Sequence, residues 1–101
     1  MQTIRIDGSE WTTPLEFYDA LLQALGQYEG HGRGVAAFIG SMIYGGMLQT
    51  EPPYEVLVEN VTSDLVQAEV DVLSRALAEA RNDRRVRCGD DVEVTLRRVT
   101  S

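Results

Sequence analysis

An α/β domain of two layers, a three-stranded parallel sheet with helices packed mainly on one face, is the fold class this sequence predicts. Three observations predict it. Hydrophobic periodicity along the chain reads strand, helix, helix, strand, helix, strand. Strands separated by helices need crossover connections, which are right-handed and give parallel pairing. The outer strands alternate apolar with polar residues, whereas a sheet covered on both faces would be apolar on both. The 101 residues suit one domain over 1–101, with no internal repeat, linker or low-complexity stretch.

The first strand is expected over 3–6, with Ile4 and Ile6 on one face and Arg5 on the other. Asp7-Gly8-Ser9 is a turn. Thr13-Pro14-Leu15-Glu16 predicts a helix start: Thr13 caps, Pro14 suits the first helical position, and Glu16 completes a capping box. Leu15, Tyr18, Leu22 and Leu25 form the apolar stripe, and Gly26 ends it. A second apolar helix is expected over 34–44, stopped by Gly45-Gly46. Val35, Ala36, Phe38, Ile39, Met42 and Ile43 cover most of its circumference, so it buries one side in its own core and offers the other to a partner, or is buried all round. Gly40 costs about 1 kcal/mol relative to Ala and suggests close approach by another group.

Pro52-Pro53 leads, stiff and extended, into a strand whose Val56-Leu57-Val58 run marks it as the most buried of the three. Ser63 caps the longest helix, expected over 64–81, where Val66, Val70, Leu73, Leu77 and Ala80 repeat at helical spacing. Asp71 and Arg75 are spaced as a favourable pair. The last strand is expected over 91–98, with Val92, Val94 and Leu96 on one face.

A net charge of -7 speaks against nucleic-acid binding, since phosphate contacts need a positive face. It fits a basic partner or plain solubility. All nine basic residues are Arg, and Arg81, Arg84, Arg85 and Arg87 form one local patch. Interleaved with Asp83 and Asp90, it reads as a solvated turn rather than an anion site. No apolar run reaches the roughly 20 residues of a membrane span, and the N-terminus lacks a signal pattern. The lone Cys88 fits a reducing compartment. A cytoplasmic location is therefore expected.

The segment 30–50 departs from this acidic background. It contains no Asp or Glu and holds six of the nine glycines. An apolar, small-residue helix without acids reads as a partner-binding face. His31, the only histidine, has no motif linking it to Cys88, and a role in holding the loop outweighs a catalytic one. The run Gly30-His31-Gly32-Arg33-Gly34 before a helix offers N–H groups to an anion but lacks Walker or dinucleotide spacing. Asp90-Asp91 has no third ligand for a metal. The cluster Met42, Ile43, Met47 and Leu48 reads as core or as interface. No cofactor, no metal and no enzymatic activity are expected.

Several segments, taken in order, carry a family likeness: Ile6-Asp7-Gly8, Phe17-Tyr18-Asp19-Ala20-Leu21, the entry His31-Gly32-Arg33, Pro52-Pro53, and Leu77-Ala78-Glu79-Ala80-Arg81 before a final strand. The chain resembles the barstar family of intracellular inhibitors of secreted bacterial ribonucleases. The resemblance implies a barstar-like fold and a protein that plugs a cationic active site with carboxylates from its second helix. There the family carries Asn-Leu-Asp-Ala-Leu-Trp-Asp. Here Gly34 stands at the Asn, Ala36 and Gly40 at the two Asp, and Ile39 at the Trp. Gly30 replaces the loop aromatic, with Tyr28 near enough to substitute, and Glu79 matches the long-helix carboxylate.

The resemblance together with the altered helix leads to the expectation of an immunity protein or antitoxin against a ribonuclease or other nuclease toxin, with changed specificity. Tyr28, His31, Arg33, Gly34, Ala36, Ile39, Gly40, Ile43, Tyr44 and Glu79 are the expected contact residues, with Ile39, Ile43 and Tyr44 as anchors. The alternatives are a domain that homo-oligomerises or docks through the apolar helix, and an anion binder at the His31–Arg33 loop. A monomer or weak homo-oligomer, with no direct nucleic acid or membrane contact, is expected.

Overall fold

The computed structural model describes residues 1–26, 31–45 and 48–99. Strand β1 (Gln2–Asp7), β2 (Tyr54–Glu59) and β3 (Val94–Val99) form one parallel sheet in the order β1-β2-β3. The apolar run Val56-Leu57-Val58 takes the central position. Ile4 pairs with Val56 and Val56 with Leu96, and Ile6 pairs with Val58, so these side chains share one face. Helices α1 (Pro14–Leu25), α2 (Val35–Ile39) and α3 (Asp64–Cys88) cover that face. No described helix covers the opposite face. There Leu57 is buried between its register neighbours Arg5 and Arg97, whose apolar stems shield it while their charges reach Glu59 at 3.2 Å and Glu55 at 3.9 Å.

Glu16 reaches back as predicted, its carboxylate accepting from the Thr12 and Thr13 N–H groups at 3.0 and 3.1 Å. These bonds, the Thr12 N–H first, hold the carboxyl below its ordinary range. The buried side of α1 differs from the predicted stripe. Phe17, Tyr18, Leu21, Leu22 and Leu25 face inward, and their arc rotates away from Leu15, which is 54% exposed. Gly8 is required at its turn, because a Cβ there would lie 2.5 Å from the Trp11 ring and 2.7 Å from Val61. The Pro52–Pro53 bond before β2 is cis.

Helix α3 runs two turns past the predicted end. No Gly or Pro interrupts it until Gly89, which closes it in the left-handed conformation (φ 74°) and donates to Arg85 carbonyl at 3.0 Å. Arg81, Arg84, Arg85 and Arg87 therefore lie on helix, not on a turn, and Arg85 and Arg87, in its last turn, favour its C-terminal dipole end. Asp71 pairs with Arg98 of β3, at 3.1 Å, rather than with Arg75. The last strand starts at Val94, three residues later than expected, because Arg81 draws Asp91 toward α3 in a two-pronged ion pair of 2.7 and 2.9 Å. The Arg81 hydrogen bond holds the Asp91 carboxyl below its usual range.

An aromatic chain knits the core. Trp11, Phe17, Tyr18, Phe38 and His31 follow one another with ring centroids 5.0–5.6 Å apart, linking the first turn to the loop before α2. Among the described residues, no helix is long and apolar enough to cross a membrane.

Candidate functional site

The segment that lacks acids builds one flank of the molecule. Gly34 opens α2 with φ 151°, a backbone conformation that side-chain-bearing residues rarely adopt, and its carbonyl accepts from Phe38 N–H at 3.2 Å. Phe38 drives the helix onto the core, stacked on Tyr18 at 5.4 Å between ring centroids. The Tyr18 hydroxyl donates to the Glu69 carboxylate on α3, and burial, then Glu69, pushes the phenol well above its usual range.

After Ile39 the helix widens into a π-helical turn, Gly40–Tyr44. Two local features accompany the widening. Ser41 Oγ donates back to Ala37 carbonyl at 3.0 Å, competing with the backbone ladder, and Gly40 is a weak helix former. The turn is stopped by Gly45 (φ 85°) and capped from outside. Arg84 of α3 donates to Ile43 carbonyl at 2.5 Å, and its guanidinium lies 5.7 Å from the centre of the Tyr44 ring.

Exposed along this flank are Arg33, Ala36, Gly40 and Tyr44, with Ile39 half-buried beside them. Arg33 is ion-paired to Asp19 on α1, which occupies the one cation of the 31–34 loop. A shallow groove of about 220 Å³, floored by Ala36, Ala37 and Gly40, lies between the loop and the helix. Gly40 is ordinary helix (φ -57°, ψ -45°), and a Cβ there would meet nothing within 4 Å. Among the described residues, no other part of the chain makes the expected close approach at Gly40.

Three expected contact residues do not belong to this strip. Ile43 is 1% exposed and sits in the core cluster, because the π-widening turns it inward with Met42. His31 is 6% exposed. Its ring packs on Phe38, Nδ1 donates to Gly32 carbonyl at 2.5 Å, and Nε2 lies within hydrogen-bond distance of Ser41 Oγ, at 2.5 Å. It holds the loop against the helix instead of reaching outward. Glu79 is exposed on α3, but it stands about 140° around that helix from Arg84, the residue that reaches the strip. Tyr28, together with Gly30 and Met47, lies outside the described residues.

Sequence reasoning missed two residues that shape this flank. Ser41, ten residues from His31, and Arg84, 41 residues from Ile43, carry no local signal of their partners. Cys88 is exposed at the end of α3. Among the described residues, no group of His, Cys, Asp and Glu could hold a metal ion. What the flank offers chemically is a neutral, shallow, shape-selective surface with one aromatic at its end. No protein-family model and no curated protein matches the chain.

Proposed function

We propose that the protein is a non-enzymatic, barstar-like inhibitor or immunity protein for a nuclease toxin, with a specificity changed from that of the family it resembles. One observation carries this reading. The outward strip of α2 and its π-helical end, Arg33, Ala36, Gly40 and Tyr44, is exposed and bears no carboxylate. The parallel sheet with α1, α2 and α3 on one face also fits the reading.

Binding through this strip is apolar and shape-driven. Tyr44 is the anchor, Ile39 adds half-buried surface, and the groove at Ala36 and Gly40 receives a protruding side chain. Removing one member of a buried charge pair costs about 2–5 kcal/mol, so a partner built for two aspartates would bind this strip poorly. The target is a toxin whose contact surface is less cationic than a ribonuclease active site.

The test titrates the protein, and Ala36→Asp with Gly40→Asp, against a small basic bacterial ribonuclease of the kind the barstar family inhibits. The native protein should bind weakly and the double variant at least about 100-fold tighter. Unchanged affinity would remove α2 as the contact and the reading with it. A second reading, self-association through this strip, draws on Tyr44, a large apolar side chain 53% exposed. Light scattering at about 100 µM should then give a dimer, and a clean monomer eliminates it.

A further inference from the structure

Strand β3 is an edge strand. Tyr54 N–H donates to Glu93 carbonyl at 3.0 Å, which sets the alternation along it. The backbone groups of Thr95 and Arg97 turn to β2, and those of Leu96 and Arg98 turn outward, while the Val94 N–H is spent on Val92 carbonyl at 2.8 Å. Helix α3 runs beside this edge and leaves a groove of about 460 Å³ between them. Its floor is Leu77, Val94 and Leu96, and the exposed Ala78 is too small to close it. Ser74 Oγ donates to Leu96 carbonyl at 2.6 Å, using one of the two lone pairs on that oxygen. The Leu96 N–H faces outward beside it.

The groove differs in charge from the chain around it. Arg81 and Arg85 line it and, among the described residues, no carboxylate does, although the net charge of the chain is -7. Arg81 is spent on Asp91. Arg85 meets the neutral Asn82 amide oxygen, at 2.8 Å, and has no carboxylate within ion-pair distance among the described residues. We propose that this groove docks an extended, acid-bearing segment of another protein, which adds to β3 as a fourth strand and sets a carboxylate against Arg85. Main-chain bonds to an edge strand supply affinity in this mode, and the flanking wall supplies selectivity.

A second copy of this chain, paired through β3 about a two-fold axis at Leu96, sets its Arg98 beside Val94. That Arg98 is already ion-paired to Asp71 of its own α3, so the copy brings no carboxylate to Arg85 in this register. The groove shares no residue with the α2 strip, so the proposal stands apart from the function argued above.

The test uses a fluorescein-labelled peptide of about eight residues alternating valine with glutamate, beside one alternating valine with lysine. Anisotropy reads the affinity, and backbone amide NMR locates the site. The acidic peptide should bind at least about tenfold tighter, with shifts at Leu96, Arg98 and the facing residues of α3. Arg85→Glu, at an exposed position, should invert the preference. Ala78→Trp should fill the groove and remove binding, with circular dichroism showing each variant folded. Equal affinity for the two peptides overturns the proposal. So does an absence of acidic-peptide binding at about 1 mM, or shifts that map to α2.

Discussion

Ser41 Oγ stands 2.5 Å from His31 Nε2 and, on its other side, 3.0 Å from Ala37 carbonyl. This hydroxyl is the pivot of the flank. It joins the loop before α2 to the turn where the helix widens, and it keeps the one histidine inside. The exposed strip Arg33, Ala36, Gly40 and Tyr44 owes its shape to a buried polar contact beneath it.

Loss of that contact should cost stability before it costs anything else. His31→Ala leaves Gly32 carbonyl without its donor, removes one of the two contacts of Ser41 Oγ and opens space against Phe38, an expected loss of about 2–3 kcal/mol. Ser41→Ala should cost about 1 kcal/mol. Urea denaturation of both singles and the double would show a combined loss smaller than their sum, since one bond is counted in each.

The glycines at 40 and 8 should respond with opposite signs. Gly40→Ala meets no neighbour and keeps helical angles, so it should stabilise by about 0.5–1 kcal/mol. Gly8→Ala drives a methyl into Trp11 and Val61 and should destabilise by about 1–3 kcal/mol. Thermal unfolding checks both.

Arg84→Ala should loosen the end of the π-helical turn. It removes the donor to Ile43 carbonyl and the cation over Tyr44, for an expected loss of about 1–2 kcal/mol. Hydrogen exchange should quicken at Gly45 N–H, which bonds to Ser41 carbonyl at 3.1 Å, while the β2 amides stay protected.

Alkaline unfolding should report Tyr54. Burial raises its phenol from 10.0 to about 12. A group whose folded value lies above its unfolded one contributes stability that is complete below pH 10.0 and lost as pH rises toward about 12. Urea midpoints followed from neutral pH to about pH 11 should therefore fall more gently in Tyr54→Phe than in the parent, with little difference at neutrality.

Much of the fold was legible in local pattern. The Thr13-Pro14-Glu16 start, the buried run Val56-Leu57-Val58 and the strand–helix alternation needed only short-range periodicity and capping chemistry, and each appears where the residues place it. Errors arose where distant groups decided. Leu15 fits a helical stripe as well as Phe17 does, and only packing selects between them. The Arg81, Arg84, Arg85 and Arg87 patch reads as a solvated turn, yet nothing breaks the helix before Gly89, and Arg81 has its partner in Asp91 across the turn.

The flank divides in the same way. Composition alone determined that residues 30–50 carry no acid and that a partner meeting them would find no carboxylate. Tertiary structure decided which side chains look outward. Ile43 and His31 are apolar or aromatic enough for either fate, and a helix rotates as a body until its bulkiest face is buried. Phe38 on Tyr18, Ser41 under His31 and Arg84 at Ile43 carbonyl set that rotation, and each pairs residues that no stretch of local sequence brings together.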